Sequence, residues 1–158
     1  MEPWLRGTTP HPDPVIRALL HSFEQVREDL QKWTTGLSDE QIWMEPHGLN
    51  SVGHQIKHLA GSVDRLTTYA RGNQLSDEQL QFLKQEKDPD ASLQDLLVLV
   101  DATLKRTESW VQGVTHFDEA RAVGRKLLST TVGGLIVHIA EHTQRHLGQA
   151  ILTCKLLK

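Results

Sequence analysis

The sequence predicts an all-α fold: a four-helix bundle with short connecting helices. Three observations carry this expectation. Four long segments repeat apolar residues at helical spacing, capping patterns precede the first of them and two shorter segments, and no segment alternates apolar and polar residues with period two. Amphipathic helices in this number bury their apolar stripes best against one another. A chain of 158 residues fits one domain, 1–158, and can bury a core without disulfide staples.

The opening residues carry Pro3, Pro10 and Pro12 and read as an irregular arm, with Trp4 as its expected anchor. A helix follows from about Asp13 to Thr35, with Asp13 as cap and Pro14 at its first position. Val15, Ile16, Leu19, Leu20, Phe23, Val26, Leu30 and Trp33 make its apolar stripe. Ser38 with Gln41 has the spacing of a reciprocal cap and predicts a short helix over "SDEQIW". The second long helix opens after Asn50 and stops near Gly72. Ser76 with Gln79 repeats the capping pattern before a shorter helix, and "DPDAS" then breaks the chain. The third long helix spans about Leu93 to Val111. Residues Gly113 to Ser129 read as irregular, with "RAVGRK" a solvated loop. The last helix runs from near Thr131 to about Leu157.

Composition excludes several classes. Apolar residues make up 38% and charged residues 23%, which is globular rather than disordered. The net charge of -3 comes from mixed acids and bases, so no basic stripe exists for nucleic acid. No apolar run reaches membrane-spanning length, and "MEPWLRGTTPHPDP" lacks a signal-peptide pattern. The expectation is a cytoplasmic protein with no membrane and no nucleic-acid partner. The single cysteine, Cys154, cannot form an internal disulfide and sits in an apolar stretch that suggests packing.

Histidine is the unusual feature. "HIAEHTQRHLGQ" holds His138, His142 and His146, each four residues after the last, and "GHQIKHLAG" holds His54 and His58 at the same step. A four-residue step brings side chains to within roughly 40° of one another round a helix. Two adjacent rungs can therefore share an ion, whereas the outer two rungs lie about 12 Å apart along the axis. The pair is His138 with His142 or His142 with His146, and a third ligand comes from the other helix. Three neutral nitrogens leave coordination positions open, as in catalytic rather than structural sites. "HIAEH" also matches an inverted zinc-protease pattern with Glu141 as base. Only sixteen residues follow His142, too few for the acidic ligand that pattern needs.

"HIAEHTQRHLGQAIL" together with "SVGHQIKHLAGSVDRL" resembles the DinB/YfiT-like superfamily of small bacterial proteins. The resemblance covers most of the chain in helix order and length. It implies a four-helix bundle holding one divalent metal on three histidines, which fall here on His58, His142 and His146. It further implies zinc or nickel as the leading ions, with iron or manganese also occurring among relatives, and a homodimer. Related members act as metal-dependent thiol S-transferases or thiol-dependent isomerases, and others are described as hydrolases. His54, His138 and Gln149 are then expected to line the pocket or support the ligands, and Gly148 to admit a neighbouring helix. Gly133 and Gly134 mark either a close approach or a frayed helix start.

No catalytic residue is assigned. An enzyme would use the metal to activate a low-molecular-weight thiol or a water for a small-molecule substrate. Hydrolysis benefits from a carboxylate base, and neither Glu141 nor Asp64 falls on the expected metal face, so thiol activation is favoured. The alternative is a non-catalytic, stress-related metal-binding interaction module. Because histidine ligates only when neutral, three such ligands with ordinary pKa values predict metal loss below about pH 6.

Overall fold

The computed structural model describes residues 1–7 and 9–158 and is mostly helical. Helix α1 spans Pro14–Thr34, α2 Val52–Ala70, α3 Asp77–Lys84, α4 Leu93–Val111 and α5 Val132–Leu156. Single 3-10 turns occupy Pro3–Leu5, Gln41–Trp43 and Pro46–Gly48. Strands β1 (Ala120–Val123) and β2 (Leu128–Thr131) form an antiparallel hairpin, with Ala120 opposite Thr131 and Val123 opposite Leu128.

Local chemistry sets most boundaries. The Asp13 carboxylate accepts from the backbone N–H groups of Val15 and Ile16, which would otherwise lack partners. Asp13→Ala is expected to lower the unfolding free energy by about 1 kcal/mol. Chemical denaturation would show it as a lower midpoint with unchanged slope. Ser51 caps α2 and Thr131 caps α5. Reciprocal caps form at Ser76 with Gln79 and at Ser92 with Asp95. Gly72 takes φ +82, the left-handed conformation that ends α2. Ser38 and Gln41 cap each other as expected, but the segment makes only one 3-10 turn.

The long helices pack around one core. Helix α2 lies against α5 and α4, and α1 lies against the same two. Ile16, Leu19, Phe23 and Val26 of α1 meet Ile56, Leu59 and Val63 of α2, Val100 and Leu104 of α4, and Ile136 and Ile139 of α5. Arg27 clamps α1 to α4 at the rim, through Asp101 at 2.8 Å and Glu108 at 2.6 Å. On α5 the buried stripe runs Val132, Ile136, Ile139, Thr143, Leu147, Ala150 and Cys154. Cys154 is an unpaired, buried thiol whose pKa burial pushes up, so packing is its role. No helix among the described residues is long and apolar enough to cross a membrane.

Three expectations need correction. The stretch from Gly113 to Ser129 is not all irregular, because the hairpin occupies part of it and "RAVGRK" forms its first strand and turn. Four-residue strands are too short to show alternation, and the turn uses Gly124 at φ +71 and Leu127 at φ +49 rather than a recognised hairpin dipeptide. The Arg121 side chain is drawn in, donating to the Ala70 carbonyl at the end of α2 at 2.8 Å. Trp4 does not anchor the N-terminal arm: it is 62% exposed. Arg6 does so, by pairing with Glu28 and Glu24 of α1. Gly148 is exposed, and a Cβ there would meet nothing within 4 Å, so it admits no neighbouring helix. The close approaches are elsewhere. Gly133 lies against Phe117 and Gly134 against Thr130, where the hairpin feeds into α5.

Candidate metal centre

Helices α2 and α5 pack side by side, and their histidines meet across the seam. On α5, His142 and His146 each precede a buried stripe residue, Thr143 and Leu147. One residue is about 100° of helix, so both imidazoles sit on the flank of the stripe facing α2 rather than in the core. His58 holds the matching flank of α2, beside buried Leu59. Ring centroids are 4.3 Å apart for His58 and His146, 4.4 Å for His142 and His146, and 5.3 Å for His58 and His142. One ligand atom from each of the three lies within 4.8 Å of the others.

Each ring nitrogen has a distinct situation. His146 Nδ1 lies 2.7 Å from Gln55 Oε1, and the amide oxygen can only accept, so Nδ1 carries the proton and Nε2 keeps its lone pair. His58 Nδ1 lies 2.7 Å from Glu86 Oε2, and Ser62 Oγ lies 3.2 Å from His58 Nε2. His142 Nδ1 is buried with no hydrogen-bond partner among the described residues. An orphaned buried nitrogen beside two imidazoles is costly unless something satisfies it.

Burial also sets the protonation. Desolvation lowers the His142 pKa to about 4, and positive charge on His58 or His138 acts in the same direction. Desolvation, then charge on His58 and His142, lowers His146 to about 4 as well. Both rings are therefore neutral at pH 7, the form that can ligate. The low values move the expected acid release of a metal downward from the pH 6 of unperturbed histidines. Three imidazoles from two helices, two of them held neutral by burial, fit a divalent transition ion of borderline softness.

The remaining expected residues lie around this centre. His54 sits one turn before His58, with ring centroids 5.9 Å apart, and its Nδ1 is likewise buried and unpartnered among the described residues. His54, His58 and Glu86 form a second group with ligand atoms close together. That group shares His58, and its carboxylate is already paired with Arg65 at 2.7 Å, so a cation there would face the guanidinium. The three-histidine group is the better cation site. His138 lies further out, 5.3 Å from His142, with Nδ1 2.7 Å from Glu141. Glu141 also pairs with Arg145 at 3.2 Å, on the exposed side of α5. Gln149 is exposed and borders an open cleft with Asn50, Gln55 and Thr153. The amide that supports His146 is Gln55 instead.

Two supporting residues were not among the expected ones. Gln55 stands three residues before His58, a spacing that puts both on one face of α2, so helical periodicity could have found it. Glu86 lies just past α3 in a charged run, "KQEKD", which reads as solvated surface. It is nonetheless 3% exposed. Burial would raise its pKa, but the hydrogen bonds from His58 and Arg65 outweigh that and hold the carboxyl below the usual carboxylate range. Asp64, a candidate base by sequence, instead accepts from Gln79 at 2.6 Å.

A family model described as the DinB superfamily matches residues 22–150, which takes in α2 to α4, most of α1 and α5, and all three histidines. No curated protein matches the chain.

Proposed function

We propose that this chain, which belongs to the DinB superfamily, is a four-helix-bundle metalloprotein that holds one divalent transition metal on His58, His142 and His146 and presents it to a small-molecule thiol. The observation that carries the reading is the convergence of three histidine ligand atoms, from α2 and α5, within 4.8 Å. Zinc or nickel suits imidazole donors best, and iron or manganese is compatible with the set. Held by His58, His142 and His146, such an ion would leave room for a further ligand and would supply the charge that favours a thiol as its thiolate at neutral pH.

The protein's own groups favour thiol over water. Water activation normally draws on a carboxylate base beside the ion. Glu86 is buried, engaged by His58 and Arg65, and held below the ordinary carboxylate range, which makes it a poor base. Glu141 is exposed and engaged by His138 and Arg145. S-transfer needs no such base, because the ion itself favours the deprotonated thiol.

The expected result of elemental analysis after mild purification is about one divalent ion per chain. Cobalt-reconstituted protein should then develop a sulfur-to-metal absorption band on addition of cysteine or 2-mercaptoethanol. Metal content well below about half an equivalent after reconstitution would sink the metal site. A full complement of cobalt with no band at millimolar thiol would sink thiol activation alone.

A further inference from the structure

A carboxylate 3% exposed needs a reason, because burying an unpaired charge costs several kcal/mol, on the order of the whole stability of a small domain. Three separate features of α2 hold Glu86 in place. Lys57, itself buried, donates to the Gln85 carbonyl at 2.7 Å and to Asp90 Oδ1 at 2.8 Å, pinning the segment that carries Glu86 against the helix. Arg65 donates to Glu86 Oε1 at 2.7 Å. Gly61 leaves the room: a Cβ there would lie 2.5 Å from Glu86 Oε1 and 2.7 Å from Arg65 Nη1. Lys57, Gly61 and Arg65 follow one another at four-residue steps, so they form a single strip of α2. An ion pair with Arg65 alone would use one carboxylate oxygen. The other oxygen, Oε2, is aimed at His58 Nδ1 at 2.7 Å.

We propose that Glu86 is a positioning residue for the metal centre, fixing His58 as the tautomer with its proton on Nδ1 and its lone pair on Nε2. The proposal rests on the reading of His58 as a ligand. A carboxylate paired with arginine only accepts, so the His58 Nδ1 must donate, and in the neutral ring that leaves Nε2 as the free nitrogen. Ser62 Oγ lies 3.2 Å from that Nε2 and 3.4 Å from Arg65 Nη2, so it can donate to the nitrogen in the metal-free protein and turn to accept from Arg65 when an ion takes the lone pair. Glu86 also orients the ring and makes Nε2 a stronger donor. Gln55 performs the same service for His146 with a neutral amide. His58 is thus the electron-rich member of the three.

The test reads the tautomer and the affinity separately, in the full chain. Nitrogen-15 NMR of the metal-free wild type should show His58 as the Nδ1–H form, and zinc titration should then give its affinity. In Glu86→Gln, Arg65 would claim the amide oxygen and leave the amide N–H facing His58 Nδ1, so the tautomer preference should be lost or reversed and zinc affinity should fall roughly 10–100-fold. Glu86→Asp keeps the charge opposite Arg65 while withdrawing it from His58. It should fold with near-wild-type melting behaviour yet show the same loss of tautomer preference and of affinity, which a purely structural role for Glu86 would not produce. If His58 is the Nε2–H form in the wild type, or if both variants bind zinc within about threefold of it, the proposal is overturned, since supporting partners of metal ligands typically matter by 10–100-fold. A wild type with the Nδ1–H tautomer that binds no metal would overturn the proposed function instead.

Discussion

Replacing His58, His142 or His146 by alanine is expected to abolish tight metal binding, each by more than the roughly 10–100-fold that loss of a supporting partner costs. Each change removes one of only three donors and opens that position to water. His54→Ala and His138→Ala should weaken binding less. His54 stands behind His58 with its rings 5.9 Å away, and His138 is half a ladder further out and tied to Glu141. Competition against a chromophoric chelator would rank the five variants, with circular dichroism to establish that each is folded. The ranking has an informative failure. Loss of metal in His138→Ala with retention in His146→Ala would move the ion one turn up α5, away from Gln55 and the seam with His58.

Much of this was legible in the sequence for a physical reason. Helices announce themselves through local rules: Asp13 and Ser76 cap where the sequence places them, and Ser51 and Ser92 cap α2 and α4 by the same chemistry. The histidine steps were equally local, since a four-residue interval fixes which side chains share a face whatever the surroundings. Which rung of the α5 ladder meets α2 was different. Spacing left His138 with His142 and His142 with His146 equivalent, and only the resemblance chose between them. What remained illegible depends on contacts distant along the chain. Glu86 reaches His58 across 28 residues and Arg65 across 21. Nothing in "KQEKD" distinguishes a buried carboxylate from a solvated one. Gly61 was the nearest hint, a poor helix former in the middle of a strong helix, whereas Gly148, equally misplaced by propensity, borders open space. The hairpin failed for a third reason: its pairing is real, but four residues per strand give periodicity too little length to register.

Acid should release the metal later than three ordinary histidines would. Unperturbed imidazole protonates near pH 6.5, and three such ligands would lose an ion steeply just below that. Burial keeps His142 and His146 neutral until about pH 4 in the metal-free protein. Protons then compete for at most one of the three ligands over most of the range from pH 6.5 to 4. The logarithm of zinc affinity should fall with a slope no steeper than about one there, and steepen towards three only near pH 4. The same depression carries a stability cost of the opposite sense. In the unfolded chain both rings protonate near 6.5, and in the fold near 4, so the unfolded state binds more protons between those values and stability rises with pH across the window. Acidifying metal-free protein from pH 7 to 4 should therefore lower its unfolding free energy, by on the order of 2 kcal/mol for each histidine after allowance for partial solvent exposure. Zinc-loaded protein should be more stable than metal-free protein wherever zinc binds, but its stability should fall with acid at least as steeply, because ligands held by the ion bind no protons while the unfolded chain's histidines do. Melting temperatures followed against pH, with and without zinc, separate the two forms. Curves for the metal-free protein that stay flat from pH 6.5 to 4 would mean these imidazoles titrate as ordinary surface histidines and that burial does not keep them ready to ligate.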